Sequence, residues 1–468
     1  MAKRYASHVP LPAKAQTSGI VAAGVVVGAM VETDCASVSI GDRTSRRRPW
    51  LRVSDVSVAC DIRKNFLKVD WGGIVQHGLA GLTEVATAMV YDEAEFGSRT
   101  QVSMEPEVLP MKLDQALLRS LPKVLLHEHL DGVVRPLTVI QLAKEAGYAG
   151  LPTTDPGALA EWFYQGANQG NLAKYLEGFA HTIAVMQTEE SLERIAYEQA
   201  EDLSQDGVVY FETRFAPIFH TQKGLSHQQV VSAVLKGLER GRKDFGIGSG
   251  LIICGMRNMD RSLEMAELAV DFRARGVVGF DLAGEEGGYP PKKHIEAFHY
   301  IQRQNFNITV HAGEGYGKES IWQAIQYCGA HRIGHGTRLI EDITVVDGKV
   351  VKLGDLAQYV LDKRIPLEIC LLSNVHTGAT PSVAEHPFKI LYQQKFRVTL
   401  NTDNRLMSNT SMTREFEAAV DTFGLGMDDF EKITINAMKS AFLPYAERCD
   451  YIYSVIKPGY ARIREVAN

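Results

Sequence analysis

The sequence has no closely spaced pair of cysteines. Its six cysteines are scattered along the chain at Cys35, Cys60, Cys254, Cys328, Cys370 and Cys449. Disulfide frameworks and thiolate zinc sites both need cysteines at short, regular spacings, so neither is expected here. Scattered cysteines are typical of a reducing compartment, and we therefore expect a cytoplasmic protein.

Long apolar runs and an excess of basic charge are also missing. The nearest candidate for a membrane span, IVAAGVVVGAMV at residues 20–31, falls short of the about 18 apolar residues that a span requires. A long N-terminal region precedes this run and no A-x-A pattern follows it, which argues against an export signal. The net charge of −6 and a single short basic cluster at residues 43–52 argue against nucleic-acid binding.

The composition that is present is typical of a soluble globular protein, with 45% hydrophobic and 23% charged residues in 468. The pattern changes near residue 115. Residues 1–115 contain only short strand-like runs such as RVSDVSVAC. This N-terminal extension is either a small β-rich appendage, a disordered tail or translated sequence upstream of the true start. Residues 116–468 are predicted to form the catalytic domain.

In the second region, short apolar runs alternate with amphipathic helical stretches. The predicted strands are residues 123–127, 208–215, 250–255, 277–282, 307–312, 331–336, 366–370 and 397–403. Strands that are apolar on both faces and alternate with helices indicate a parallel sheet. Eight such units close a (β/α)8 TIM barrel. Two of the helices are predicted to begin at Ser191 and Ser226, and the long segment after the first strand predicts extra helices over the barrel mouth.

Polar residues gather where these strands end. They are His127, His129, His311, Glu314, His335 and Asp403. Ordinary core or surface histidines would be scattered over helices and loops as well. Because the active sites of (β/α)8 barrels lie at the carboxyl ends of the strands, this set indicates one site.

The stretch LLHEHLDG shows how the first strand contributes. Side chains alternate along a strand, so His127, His129 and Asp131 share the interior face and Glu128 faces the helices. Together with His311 and an aspartate of the eighth strand, the two histidines form a set of three nitrogens and one oxygen. This set suits Zn²⁺ and leaves a position for water. A bound divalent ion lowers the pKa of water from about 16 toward about 7, which provides hydroxide at neutral pH.

Three other metal patterns are disfavoured. H-E-x-x-H fails because Asp131 occupies the position of the second histidine. The cytidine-type deaminases need a P-C-x-x-C motif that does not occur. A binuclear amidohydrolase would want a bridging lysine or carboxylate at the fourth strand, where GFDLAGEE offers Asp281 but no lysine. One metal ion is therefore the better interpretation.

Six motifs, in order, resemble those of the adenosine deaminase family. They are LLHEHLDG, DLAGEE, TVHAGEG, RIGHGTRL, LEICLLSNVHTGA and TLNTDNRL. The resemblance covers about residues 120–457. It implies a hydrolase of purine salvage that converts adenosine and 2′-deoxyadenosine to inosine and 2′-deoxyinosine with release of ammonia, through a zinc-bound hydroxide that attacks C6. It also implies one zinc ion per chain and a small nucleoside as the binding partner.

The resemblance also implies roles for single residues. The implied zinc ligands are His127, His129, His311 and Asp403. Glu314 shares a proton with purine N1, and His335 contacts the attacking water, either as a base or as an electrostatic partner. Gly284 offers a backbone N–H to N3, unless it is only a turn glycine. Asp131 reaches the ribose 5′-hydroxyl, unless it only caps the loop.

One position departs from the family pattern. The animal enzymes read N-T-D-D, whereas this chain has NTDN with Asn404. The family places this residue against purine N7, an acceptor. An amide donates at any pH, whereas a carboxyl donates only when it is protonated. Asn404 therefore either preserves the contact or alters the substrate preference.

Two rival functions remain. The first is a deaminase of free adenine or a modified adenosine on the same scaffold. Relatives that act on the free base tend to have H-L-E-G, so Asp131 in HLDG favours a nucleoside. No cluster of arginine or lysine accompanies the motifs, which disfavours phosphorylated substrates. The second rival is a non-catalytic nucleoside-binding protein, which would be expected to lose the metal ligands or Glu314 first.

Overall fold

The computed structural model describes residues 113–467. The basic cluster, the apolar run at residues 20–31 and the strand-like runs predicted near the N-terminus lie outside the described residues. Within the described part of the chain, no helix is long and apolar enough to span a membrane.

The eight predicted strands are all present, and two more form a separate hairpin. The strands are β1 (Lys123–His129), β2 (Val208–Phe215), β3 (Gly248–Met256), β4 (Val277–Ala283), β5 (Thr309–Ala312), β6 (Arg332–His335), β7 (Ile343–Val346), β8 (Lys349–Leu353), β9 (Leu367–Ile369) and β10 (Val398–Leu400). Apart from the antiparallel pair β7–β8, all ladders are parallel.

The eight parallel strands close into a barrel. Two sheets have the orders β1-β2-β3-β4 and β10-β9-β6-β5. One parallel bridge joins Phe280 of β4 to Ile308 before β5, and another joins Glu128 of β1 to Asp403 after β10. The Asp403 N–H donates to the His127 carbonyl at 3.0 Å across the second junction. These bridges complete the ring, so the predicted (β/α)8 fold is confirmed.

Helices surround the barrel. They are α1 (Gln115–Ser120), α2 (Pro136–Ala146), α3 (Pro156–Ala167), α4 (Leu172–Glu177), α5 (Phe179–Val185), α6 (Glu189–Gln205), α7 (His227–Phe245), α8 (Ser262–Asp271), α9 (Ile295–Arg303), α10 (Lys318–Gln326), α11 (Asp355–Asp362), α12 (Leu371–His376), α13 (Phe388–Gln393), α14 (Arg405–Ser408), α15 (Met412–Phe423), α16 (Met427–Ser440), α17 (Tyr445–Asp450) and α18 (Lys457–Ala467). The segment between β1 and β2 holds α2 to α6, as predicted. Residues of α4 and α5 line the pocket described below, so these helices cover the barrel mouth.

The two predicted helix starts have different outcomes. Ser226 caps α7 as expected, because its Oγ accepts the Gln229 N–H. The prediction for Ser191 was wrong, since α6 begins at Glu189. Thr188 is its N-cap and accepts the Ser191 N–H, while the Ser191 hydroxyl oxygen accepts the Thr188 N–H, both at 3.2 Å. This reciprocal capping box places Ser191 in the first helical turn.

The hairpin β7–β8 has no counterpart among the predicted strands. Its turn residues Asp347 and Gly348 have φ of 49° and 72°. Two consecutive positive φ values are typical of the type I′ turn that joins antiparallel strands, and Asp-Gly is one of its preferred sequences. The stretch VVDGKVV therefore contained a signal that would have identified this hairpin.

Candidate active site

Four side chains from three parts of the barrel converge at its carboxyl end. His127 and His129 belong to β1, His311 to β5, and Asp403 follows β10. The Nε2 atoms of His129 and His311 are 3.1 Å apart, and Asp403 Oδ1 lies 3.3 Å from His127 Nε2 and 3.4 Å from His129 Nε2. One potential ligand atom from each residue lies within 4.8 Å of the others. We call these residues the four-residue cluster.

The cluster fits a divalent cation. His127 Nε2 is buried and has no hydrogen-bond partner in the protein. The Nδ1 atoms of His127 and His311 face the carboxylates of Glu368 at 2.9 Å and Asp281 at 3.0 Å. Each Nδ1 therefore carries a proton, which leaves the Nε2 lone pairs directed into the cluster. Carboxylates that orient metal-binding histidines in this way are the usual second layer of such sites.

A layer of buried ion pairs lies behind these histidines. It consists of Glu212, Arg214, Asp281, Arg332 and Glu368, and we call it the ion-pair layer. Arg214 contacts Asp281 at 3.0 Å and Glu368 at 2.9 Å. Arg332 contacts Glu368 at 2.5 Å and Glu212 at 2.6 Å. The layer connects four strands through charge pairs inside the barrel.

Arginines favour the ionised form of two carboxylates of this layer, Asp281 and Glu368. Burial would raise the pKa of Glu368, but the charges of Arg214 and Arg332 hold that pKa well below its usual value. Burial likewise opposes ionisation of Asp281, yet contacts with His311 and Arg214 lower its pKa. Both carboxylates can therefore accept hydrogen bonds from the histidine Nδ1–H groups at neutral pH.

Asp403 is also held as a carboxylate. Burial raises its pKa, but the adjacent imidazoles, His127 first among them, lower it well below the usual range. Its Oδ2 accepts the Ser373 hydroxyl at 2.6 Å, which leaves Oδ1 facing the histidines. Its φ of 57° is a left-handed conformation that non-glycine residues rarely adopt and that tends to occur at functional sites.

Glu314 lies in the loop after β5 and has the opposite protonation preference. Burial raises its pKa well above the usual value, and the negative charges of Asp403 and Glu286 raise it further. Its Oε1 is buried with no partner in the protein, while Oε2 lies 3.4 Å from His335 Nε2. Burial and acidic neighbours therefore favour the protonated form of the Glu314 carboxyl, and one of its oxygens is free for a ligand.

Glu286 holds the Glu314 loop in place. Its carboxylate accepts backbone N–H groups from Gly313 at 2.9 Å, Glu314 at 3.0 Å and Tyr316 at 2.7 Å. The Ser320 hydroxyl donates to it at 2.8 Å. A buried carboxylate satisfied by four donors fixes the path of the chain around Glu314.

His335 is the last residue of β6 and is almost fully buried. Its φ of 61° turns the chain at the strand end. Burial lowers the pKa of His335 well below its usual value, and the nearby His127 lowers it further. The ring is therefore neutral, with Nε2 toward Glu314 and Nδ1 toward the side chain of Asn374 at 2.9 Å.

The three remaining predicted residues all line the same pocket. Asp131 lies in the turn after β1, its buried Oδ1 has no partner, and burial raises its pKa to about 7. Gly284 follows β4 with φ of 99°, a conformation that suits glycine. Asn404 packs on Gly132, where an added Cβ would come within 1.9 Å of its Oδ1. That oxygen is also buried and unpaired.

The pocket above the cluster has a volume of about 590 Å³. Eight of the nine predicted site residues line it, and the ninth, His127, is buried against Asp403. Its apolar wall includes Leu176, Phe179 and Phe219. The lining contains acidic residues, but none of its residues is a lysine or an arginine.

A family comparison agrees with this geometry. The model of the adenosine deaminase family matches residues 122–458, which is most of the chain. The chain belongs to the adenosine deaminase family. The matched region contains every strand of the barrel and all nine predicted site residues.

Known members of the family show both close and distant likeness. Adenosine deaminase 1 of Streptomyces coelicolor is 55% identical over 352 residues, which cover 74% of this chain and 89% of the relative. The structure of an adenine deaminase from Arthrobacter aurescens is 25% identical with a TM-score of 0.65, covering 74% of this chain and 99% of that one. The N6-methyl-AMP deaminase of Arabidopsis thaliana is 26% identical with a TM-score of 0.60, covering 76% and 98%.

Several residues that support the site were not predicted from the sequence. They are Arg214, Glu286, Glu368 and Asn374, and Asp281 was predicted only as a possible bridging ligand. A usable signal was present, because charged residues interrupt the apolar strands in YFETRF and LEIC. A buried charge is rare unless it is paired, so such interruptions predict ion pairs inside the barrel of this family member.

Proposed function

We propose that this chain is a hydrolase that deaminates adenosine and 2′-deoxyadenosine at purine C6 and releases ammonia. The products are inosine and 2′-deoxyinosine, a reaction of purine salvage. The observation that carries the proposal is the buried Glu314 carboxyl, which has a free oxygen and lies in one pocket with the four-residue cluster, where its surroundings favour the protonated form. The 55% identity to a bacterial adenosine deaminase supports the same reaction.

We infer that the four-residue cluster binds one Zn²⁺ ion per chain. Three imidazole nitrogens and one carboxylate oxygen are a donor set that zinc prefers. Zinc bound there would polarise a water molecule and lower its pKa toward about 7. The contacts of His127 Nδ1 with Glu368 and of His311 Nδ1 with Asp281 keep the proton of each ring on Nδ1. Metal binding requires this tautomer, because it leaves the Nε2 lone pair free.

Glu314 supplies the proton that the reaction needs. Addition of water oxygen to C6 breaks the conjugation of the purine ring, so the displaced electrons must be accepted at N1. A neutral carboxyl can give its proton to N1, whereas an ionised one cannot. The Asp403 carboxylate, which is ionised and lines the pocket, is placed to accept a proton from the attacking water. That proton then passes to the C6 amino group, the C6–N bond breaks and ammonia leaves, while the proton of the new C6 hydroxyl group returns to Glu314.

Three pocket residues are proposed to bind the substrate. Asp131 would accept a hydrogen bond from the ribose 5′-hydroxyl or donate one to it. The Gly284 N–H would donate to purine N3. Asn404 would donate to N7 through its amide. Support for Asp131 comes from its buried, unpaired oxygen, since buried polar atoms normally have a partner, here supplied by a ligand. Support for Gly284 and Asn404 comes from their positions in the pocket lining.

The charge of the pocket supports a nucleoside rather than a nucleotide. Among the lining residues, Glu177 and Glu285 add to the acidic character, and there is no cation to bind a phosphate. Two negative groups would repel a 5′-phosphate, which usually needs arginine or lysine. We propose that residues 116–468 form this catalytic domain, that residues 1–115 form a separate N-terminal extension, and that the protein acts in the cytoplasm.

A substrate panel tests the proposal. The full chain is assayed by ultraviolet absorbance with adenosine, 2′-deoxyadenosine, adenine, AMP and N6-methyl-AMP, and its metal content is measured. We expect both nucleosides to be deaminated, a chelator to abolish activity, and added zinc to restore it. A higher kcat/KM for adenine or for a nucleotide would favour a rival deaminase, and binding without turnover would indicate a non-catalytic protein.

A further inference from the structure

A chain of buried hydrogen bonds begins at the backbone of Phe388 and ends at His335. The Phe388 N–H, which can only donate, lies 3.0 Å from His386 Nδ1. That nitrogen must therefore accept and carries no proton. Burial lowers the pKa of His386 to about 3, so its ring is neutral and its single proton is on Nε2.

The proton on His386 determines how the amide of Asn374 is oriented. His386 Nε2 lies 3.0 Å from Asn374 Oδ1, and the Thr337 hydroxyl donates to the same oxygen at 3.3 Å. The protonated His386 Nε2 requires an oxygen at this position, and the Thr337 hydroxyl can donate to it. The amide NH₂ of Asn374 therefore points the other way, where it lies 2.9 Å from His335 Nδ1.

The backbone of Asn374 is held as well. Its N–H donates to the Cys370 carbonyl at 2.9 Å, and its own carbonyl accepts the Thr380 N–H at 3.0 Å. All members of the chain are buried. Water therefore offers no alternative partner, and each donor has to meet an acceptor within the protein.

We propose that Asn374 and His386 fix His335 in the tautomer whose proton is on Nε2, so that His335 acts as a hydrogen-bond donor in the pocket and not as a base. An amide donor at Nδ1 excludes a proton there. It therefore excludes both the opposite tautomer and the imidazolium ion. The remaining proton lies on Nε2, which faces the Glu314 carboxyl.

The opposite arrangement would place two donors against each other at one of two points. With the proton on Nδ1 of His335, the Asn374 amide would have to turn its oxygen toward that ring. Its NH₂ would then meet the N–H of His386. If His386 moved its proton to Nδ1, that proton would face the Phe388 N–H. Burying donors against donors costs the desolvation energy of each unpaired group.

The consequence for catalysis rests on the proposed function. An imidazole whose Nε2 carries a proton cannot accept one from the attacking water. It can stabilise negative charge on the oxygen that adds to C6, as the donors of an oxyanion hole do. Asn374 and His386 are positioning residues in this scheme, because they act only through His335.

The first test needs no substitution. The full-length, metal-loaded protein is labelled with ¹⁵N-histidine, and the ring nitrogens of His335 and His386 are observed by long-range ¹H–¹⁵N correlation. Signals are assigned with His335→Gln and His386→Gln. We expect protonated Nε2 and unprotonated Nδ1 in both rings. A proton on Nδ1 of His335 would overturn the proposal. This readout is independent of the substrate, so failure of the adenosine assay would refute only the proposed function.

The second test uses kinetics. Asn374→Leu removes the donor to His335 with little change in size, so both tautomers should be observed and kcat should fall about tenfold, the worth of one hydrogen bond. KM should change by less than about twofold, because the interaction strengthens in the transition state. His386→Gln retains an amide donor toward Asn374 and should remain close to wild type.

A matched control is Asn168→Leu, the same change at the exposed C-cap of α3. It should leave both the kinetics and the His335 signals unchanged. Wild-type kcat and an unchanged single tautomer in Asn374→Leu would refute the positioning role. Should that variant fail to fold, the spectrum of the unsubstituted protein still decides the proposal.

Discussion

The ion-pair layer and the polar atoms that line the floor of the pocket are both buried. They differ in the charged and hydrogen-bonding partners that the protein gives them. In the ion-pair layer, each arginine contacts two carboxylates within 3.0 Å. On the pocket floor, polar atoms of Asp131, Glu314 and Asn404 have no partner in the protein. Because an unpaired buried polar group is costly, the ion pairs of the layer support the barrel, whereas atoms without a partner that also line the pocket are candidates for contact with a ligand.

Two glutamates show the same contrast in their pKa values. Burial acts on both, but arginines lower the pKa of Glu368 and acidic neighbours raise that of Glu314. The surroundings therefore favour the ionised form of Glu368, which orients His127, and the protonated form of Glu314, which suits a proton donor. The neighbouring charges, and not the residue type, decide the role.

The largest expected effect tests the unpaired side of this comparison. Glu314→Gln keeps the size of the side chain but removes the acid. We expect kcat to fall by about 10²–10⁴, the usual contribution of a general acid, with the bound metal retained. Steady-state kinetics and metal analysis of the same preparation check both parts.

A matched control for this change is Glu285→Gln at the exposed rim of the same pocket. It should alter kcat by no more than a few-fold. Near-wild-type activity of a zinc-containing Glu314→Gln protein would contradict the assignment of Glu314 as the proton donor.

The next effect tests the paired side. Arg214→Met leaves Asp281 and Glu368 without this cation inside the barrel. Removing one partner of a buried ion pair destabilises a protein by about 3–5 kcal/mol. The free energy of unfolding measured in urea titrations should therefore fall by about that amount. The exposed Arg303→Met on α9 serves as the control, and an equal effect of both substitutions would contradict the structural role of the layer.

A third prediction concerns a buried carboxyl without a cation. Burial raises the pKa of Glu415 from 4.5 to about 8, so the folded state binds more protons than the unfolded state between these values. The free energy of unfolding should therefore decrease as pH rises from about 5 to about 8, by at most about 1.4 kcal/mol per pH unit.

Glu415→Gln should remove this contribution. In urea titrations across that pH range, its stability relative to wild type should increase as pH rises. Glu417→Gln, at a more exposed position of the same helix, should follow the wild-type pH dependence. A stability difference that does not vary with pH would show that Glu415 is ionised in the folded protein.

The smallest expected effect tests the contact proposed for Asn404. Asn404→Ala should lower kcat/KM for adenosine about tenfold, the worth of one hydrogen bond. 7-Deazaadenosine lacks the acceptor at this position, so the same substitution should change kcat/KM for 7-deazaadenosine little. Equal losses for both substrates would show that Asn404 does not contact N7.

Sequence patterns were sufficient to predict the barrel and to predict that the candidate site residues lie close together. Alternation along β1 places His127 and His129 in the interior and turns Glu128 away, where Gln199 of α6 donates to it at 2.7 Å. Parallel strands align their carboxyl ends, so His311 and Asp403 had to lie nearby. The Thr188 cap and the β7–β8 hairpin were not predicted, although the Asp-Gly turn of the hairpin is a local sequence signal.

By itself, the sequence determined the fold class and predicted which residues gather at one end of the barrel, because strand periodicity and strand ends follow from local order. The tertiary structure alone decided how these residues are charged and protonated. Glu368 and Glu314 are equally glutamates in the sequence, and they differ only through arginines and acids distant in the chain. The tautomer of His335 likewise depends on Phe388, since a hydrogen-bond chain exists only once the fold has brought its members within reach.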